Sequence, residues 1–144
     1  MTAGRWRWLL ALLALAGFGL RVYQLDGQSM WSDEGLSLYR AAQPVARILA
    51  NVITVDGVDT RDANPPLYFL LLAGWWQLAG ASIFGLRLLG AAAAGLAVPL
   101  IAQMGAWLFG RRVGLLAAGL LALSPFHVWQ SQVLRNYGLL LTLN

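Results

Sequence analysis

Apolar residues fill Trp8 to Leu20 almost without interruption, behind Arg5 and Arg7, and the run reaches Leu25 if Arg21 snorkels toward water. Polar residues then dominate 26–64 before three further apolar stretches, Leu67–Phe84, Leu86–Phe109 and Val113 to about Trp129. Residues 136–144 open one more. Runs of this kind approach the roughly 20 residues that a bilayer-crossing helix requires. The pattern predicts an all-α chain of polytopic transmembrane helices, with an outer loop carrying short juxtamembrane helices. Within that loop Ser32 is a candidate N-cap, placing Asp33 and Glu34 in a first helical turn, where the helix dipole favours negative charge. Pro44 at a first helical position, followed by Val45, Ile48, Leu49, Val52 and Ile53 on one stripe, predicts an amphipathic surface helix over 44–53. Asp56-Gly57 reads as a turn, and Pro65-Pro66 as the start of the next helix.

Composition agrees with membrane residence: of 144 residues 59% are hydrophobic and 11% charged, too few charges to coat a soluble globule. Cysteine is absent, which removes disulfides and thiolate metal sites. The net charge of +4 rests on arginines dispersed near the ends of apolar runs. Such a distribution sets topology and lacks the clustered basic face of a nucleic-acid binder. Ala14-Leu15-Ala16 loosely resembles a signal-peptide cleavage site, but the apolar run continues past it with no polar region, favouring an uncleaved span. If every later stretch crosses, Arg111-Arg112 falls outside and Arg135 lies across the membrane from Asp33. Treating 67–84, with its Trp75-Trp76-Gln77 centre, as a juxtamembrane or re-entrant helix removes both conflicts. The expected order is a first span at 8–25, an outer loop at 26–64, a helix at 67–84, spans at 86–109 and 113–129, and the start of a truncated span at 136–144. The whole chain is then the N-terminal part of one larger membrane domain.

Three groups of residues could carry chemistry. Asp33 and Glu34 are adjacent carboxylates. On a helix they diverge by about 100 degrees, so one would face a cavity and the other a structural partner. Arg40 shares the face of Asp33 and would steady it only indirectly. The second group is Asp62-Ala63-Asn64-Pro65-Pro66-Leu67, where Asp62 and Asn64 stand at the mouth of a helix. The third is Ser124-Pro125-Phe126-His127-Val128-Trp129-Gln130-Ser131-Gln132, followed by Arg135-Asn136-Tyr137. Arg135 opens an apolar run and can clamp a phosphate or carboxylate, or simply snorkel. His127 reads as an interfacial side chain, because one histidine without sulfur ligands makes a poor zinc site. Arg87 and Arg111-Arg112 read as topology signals. Nucleotide-binding glycine loops and a serine–histidine triad are absent.

Taken in order, these three groups resemble the C-type membrane glycosyltransferases, nearest to the polyprenyl-phosphate-mannose protein mannosyltransferases and the aminoarabinose transferases of lipid A. The resemblance spans nearly the whole chain but only the front of such an enzyme. It implies sugar transfer from a polyprenyl-phosphate donor to a lipid, glycan or protein acceptor at the outer face of a bacterial inner membrane, periplasmic or extracellular. It assigns Asp33 as catalytic base and Glu34 as its companion, pairing with Arg135 or positioning the acceptor. Asp62, Asn64, Gln132, Arg135 and Tyr137 become substrate-binding residues, Arg135 and Tyr137 near the donor phosphate. Asn64 stands where the family often has histidine, so it can bind but not titrate. No cofactor is implied, a divalent metal is left open, and the partners are donor, acceptor and membrane lipid, not nucleic acid. An inactive remnant or membrane scaffold is the alternative, followed by a transporter segment, whose polar groups usually lie at the midplane.

Overall fold

In the computed structural model, which describes residues 1–55 and 57–143, three long helices form a frame: α1 (Ala3–Val22), α5 (Ile83–Phe109) and α6 (Arg111–Leu123). α5 runs antiparallel to the other two. Small residues let these backbones approach. A Cβ built on Gly105 would stand 3.0 Å from the Gly114 Cα, and one on Gly114 would overlap the Ala102 carbonyl oxygen. Gly17 of α1 likewise faces the methyl groups of Ala122 and Val98. Val98, Ala102, Ala118 and Ala122 make the buried seam, so close van der Waals packing rather than bulky side chains joins the frame. Gly110 turns α5 into α6 at φ 92°, a left-handed conformation that glycine adopts without strain.

The remaining elements gather at one end of the frame. α2 (Ser32–Ala41), α3 (Val45–Leu49), an antiparallel hairpin of β1 (Val52–Val55) and β2 (Val58–Arg61), and α4 (Pro66–Ala79) lie between α1 and α5 in sequence. α7 (Pro125–Ser131) and α8 (Tyr137–Leu143) follow α6. A second core of Ala41, Ile48, Tyr68, Phe69, Leu72, Leu86 and Leu134 fastens this cap to the frame. The Trp75 indole donates to the Gly85 carbonyl at 2.7 Å, pinning α4 to the start of α5. With 14 residues, α4 is about 21 Å long, short of the roughly 30 Å hydrocarbon core.

Several expectations require correction. The chain is mostly helical rather than all-α. The helix expected over 44–53 stops at Leu49, Asn51 turns the chain at φ 55°, and β-branched Val52-Ile53-Thr54-Val55 enters the hairpin. The turn expected at Asp56-Gly57 includes Asp56, which lies outside the described residues, as does Asn144 at the end of the last expected run. The N-cap of α2 is Trp31, one position before Ser32. The stretch 113–129 is two helices meeting at 59°, because Pro125 lacks an N–H and starts α7 with Ser124 as its cap. Among the described residues, α5 alone is by itself long and apolar enough to cross a membrane; α6 with α7 passes only as a bent pair.

Arg21 does not snorkel. It is fully buried and its guanidinium donates to the carbonyls of Gly17, Leu121 and Ala122 and to Nδ1 of His127 at 2.8 Å. The Leu121 and Ala122 carbonyls stand in the last turn of α6, where Leu121 also accepts a long bond of 3.4 Å from the Ser124 N–H, so the cation adds donors at the negative end of the helix dipole. His127, expected at an interface, is buried as the acceptor of that bond, which fixes Nδ1 as its unprotonated nitrogen.

Candidate functional site

Beyond α1 the chain enters a network of carboxylates and guanidiniums on the cap. Glu34 is its most buried member, with no exposed surface. Its Oε1 accepts from Arg87 Nε at 2.9 Å and from the Leu134 backbone N–H at 2.6 Å. Its Oε2 accepts from Arg87 Nη2 at 2.7 Å and from the Trp31 N–H at 3.4 Å, closing the first turn of α2. Arg87 Nη1 spends its protons on the carbonyls of Leu25 and Gln28, which end the connection from α1. Burial would raise the Glu34 carboxyl, but Arg87 and the Leu134 and Trp31 N–H groups outweigh it and hold the group below the ordinary carboxylate range. Glu34 therefore pairs with Arg87, correcting the pairing expected with Arg135 and the reading of Arg87 as a topology signal alone. One cue was present in the sequence: a lone arginine inside an apolar run requires a counter-charge.

A second closed pair lies beside it. Arg40, also buried, donates to Asp62 Oδ2, to the Asn51 side-chain oxygen and to the Asn64 carbonyl, with its guanidinium 3.8 Å over the Phe69 ring. Asp62 Oδ1 in turn receives the backbone N–H and side-chain amide of Asn64 at 2.9 and 2.7 Å. For Asp62 too, burial acts upward and is outweighed, here by the Asn64 N–H donors and by Arg40, so its carboxyl lies below the ordinary range. Arg40 thus steadies Asp62, not Asp33. The Asn64 side-chain oxygen accepts from the Asn136 amide at 3.2 Å, linking the loop to α8.

Asp33 and Arg135 form the third pair, and it is different in kind. Their closest nitrogen–oxygen approach is 3.6 Å, and their side chains retain 46% and 15% of their exposure. Arg135 also reaches the Asp33 carbonyl at 3.4 Å and sits 5.6 Å from the centre of the Tyr137 ring. Two buried donors nearby lack acceptors: Nε of Arg135 and the hydroxyl of Tyr68, a residue 2% exposed in the cap core. An open groove of about 520 Å³, lined by Gln28, Ser29, Trp31, Trp129 and Val133, ends two residues from Asp33 on one wall and two from Arg135 on the other.

Of the expected site residues, the cap therefore brings together Asp33, Glu34, Asp62, Asn64, Arg135 and Tyr137. Gln132 stands apart: its amide donates to the Leu20, Arg21 and Tyr23 carbonyls and caps the C-terminal end of α1. Arg40, Arg87, Asn136 and Tyr68 join the site without having been expected there. Among the described residues, no three histidine or acidic side chains gather as a cation would need.

Neither the curated proteins nor the solved structures contain a match to the chain. The family model described as dolichyl-phosphate-mannose-protein mannosyltransferase matches residues 63–143, which takes in Asn64, Gln132, Arg135 and Tyr137 but not Asp33, Glu34 or Asp62. With more than half of its length matched, the chain belongs to that family of mannosyltransferase-type membrane glycosyltransferases.

Proposed function

We propose that Asp33 and Arg135 form the reacting edge of a glycosyltransferase that moves a sugar from a polyprenyl phosphate to an acceptor hydroxyl. One observation carries this reading: of the four ion pairs on the cap among the described residues, only Asp33–Arg135 is loosely closed, at 3.6 Å, whereas the likewise exposed Arg47–Asp59 pair of α3 and the hairpin is shut at 2.7 Å. The closed pairs have their partners; Asp33–Arg135 can exchange its own for substrate. The Asp33 carboxylate takes the acceptor proton as the acceptor oxygen bonds to the anomeric carbon. The bond between that carbon and the phosphate oxygen breaks, and its electron pair leaves with the polyprenyl phosphate. Arg135 neutralises the charge that gathers there. Asn64 and Asn136 offer amides for sugar hydroxyls or phosphate oxygens, and the groove flanked by Trp31 and Trp129 gives the acceptor a path to Asp33.

A membrane orientation follows from the same geometry. The outward faces of the frame are apolar, with Trp8, Leu12, Leu15, Leu96, Leu116 and Leu120 all exposed, as lipid contact requires. In our reading α1, α5 and the bent α6–α7 unit cross, α4 stays in the cap, and the cap faces the periplasm or cell exterior, with Arg5, Arg7, Arg111 and Arg112 inside. Asp33→Asn in the complete gene product tests the assignment. Transfer from polyprenyl-phosphate mannose should fall by at least 100-fold, the lower end of general-base contributions, with insertion and thermal stability unchanged. Transfer within threefold of the native rate rules out Asp33 as the base.

A further inference from the structure

The end of the frame far from the cap carries a second cleft. It opens where the first turns of α1 meet the last turns of α5 and the start of α6, has a volume of about 290 Å³, and is lined by Trp6, Arg7, Gln103, Trp107 and Arg111. Among the described residues, Arg7 makes no side-chain hydrogen bond or ion pair. Arg111 makes one long contact, 3.4 Å, to the Met1 carbonyl. Among the described residues no carboxylate lines this cleft; the acidic side chains of the sequence all fall within 26–62. Arg5 and Arg112 flank the two lining arginines in sequence and add to the positive potential. Gln103 and Trp107 also line an adjoining groove of about 520 Å³ whose other walls are Leu100 and Met104. A basic cleft thus continues directly into an apolar channel along the outside of α5.

We propose that this pair of cavities holds one anionic glycerophospholipid, its phosphate between Arg7 and Arg111 and an acyl chain along Leu100 and Met104. Guanidiniums from two different helices can grip phosphate oxygens in a forked geometry, and the Gln103 amide adds a donor. The Trp6 and Trp107 indoles stand where aromatic side chains meet headgroups. A topology signal would need only the positive charge; it would not need two unpaired arginines facing each other across a cleft that leads into an apolar groove. Free phosphate would use the first cavity and ignore the second. The bound lipid ties the start of α1 to the α5–α6 turn, where the Arg111 guanidinium already donates to the Met1 carbonyl.

Titration of the detergent-purified full chain with short-chain phosphatidylglycerol, the matching phosphatidylcholine and glycerol phosphate tests this directly. The anionic lipid should bind at least tenfold more tightly than either comparator, in line with the attraction of about two arginines for an anionic headgroup. Arg7→Gln with Arg111→Gln should remove that preference. Arg47→Gln with Arg61→Gln, which removes equal charge from the hairpin region, should keep it. Equal binding of the two lipids, or equal loss in both double variants, overturns the site. Glycerol phosphate binding as tightly as the lipid overturns the lipid assignment. The comparison of ligands on the native chain stands even if a variant fails to fold, and Arg7→Lys with Arg111→Lys should stay within tenfold of native.

Discussion

Removing the buried Arg87 should damage this protein more than removing any exposed or half-exposed arginine. In Arg87→Met the Glu34 carboxylate keeps the Leu134 and Trp31 N–H groups but loses both guanidinium bonds, at 2.9 and 2.7 Å. It stays at zero exposure with no cation beside it, while the Leu25 and Gln28 carbonyls lose their donors. Two unit charges 4 Å apart attract by about 4 kcal/mol at the effective dielectric of a protein. Breaking buried pairs from one side costs about 3–5 kcal/mol. The two figures agree, and Glu34→Leu should cost a similar amount because it strands Arg87. Removing both charges is different: the Glu34→Leu/Arg87→Met chain leaves no unpaired ion. It should be destabilised by at least ~2 kcal/mol less than the sum of the single changes, a coupling typical of residues sharing a network. Unfolding in mixed micelles, followed by tryptophan fluorescence, measures all four chains. Acid supplies a control with a definite sign. The Glu34 carboxyl is held below its ordinary value, so its contribution is complete above about pH 4.3 and disappears as pH falls through the lower folded value. The stability gap between native chain and Glu34→Leu should therefore close on the acid side of pH 4. Additivity within 0.5 kcal/mol, or a gap that does not change with acid, would refute a buried ion pair.

Two other outcomes follow from the frame. Gly114→Ala sets a methyl against the Ala102 carbonyl and 2.7 Å from the Ala106 nitrogen, so α5 and α6 must part; destabilisation of about 1–3 kcal/mol is expected in the same unfolding assay, against a stabilisation of about 0.5–1 kcal/mol for Gly119→Ala, which sits inside α6 and meets nothing within 4 Å. In a chain without cysteine, single cysteines report sidedness cleanly: Ser29→Cys and Arg112→Cys should be labelled from opposite faces of sealed vesicles, and labelling from one face would refute the proposed crossing of α5.

The helical frame was legible because apolar runs report burial or lipid contact regardless of which neighbour they meet. Pairings were less legible. The family resemblance offered Arg135 as a partner for Glu34. The structure pairs Glu34 with Arg87 instead, for a local reason: Arg87 opens the second turn of α5, directly behind the first turn of α2, whereas Arg135 lies beyond Leu134 and faces outward. Arg21 misled in the same way. A cation near a helix end usually snorkels, but here the Leu121 and Ala122 carbonyls at the end of α6 accept it within the fold. The 44–53 helix failed because an apolar stripe at helical spacing does not register β-branching: Val52 and Ile53 satisfy the helical period and still enter the pleat of β1. Tyr68 carried no signal, since a phenol inside an apolar run identifies itself only through its neighbours, and Asn136 stood in the Arg135-Asn136-Tyr137 group without any mark of its partner Asn64.

The buried carboxylate explains how the exposed one is aimed. Glu34 follows Asp33 in the chain and accepts from the backbone of Leu134, which precedes Arg135. One side chain thus fixes the residue next to the proposed base and the residue next to the proposed phosphate ligand, 100 positions apart in sequence. Arg87 then anchors that clamp to the frame, and Asp62 with Arg40 does the same for the Asn64 edge through bonds within the cap. Two pairs are closed so that the third can be open at a fixed spacing. A clamp of this kind predicts a specific failure. Glu34→Gln keeps the shape and one carbonyl oxygen for Leu134 or Arg87 but not both charges' worth of bonds, so Asp33 and Arg135 should drift relative to each other. The maximal transfer rate should drop by about 100-fold, the usual penalty for misplacing reacting groups by about 1 Å, with the donor's KM changed far less. A rise in KM with an unaltered maximal rate would instead place Glu34 in direct contact with substrate, and the clamp would be wrong.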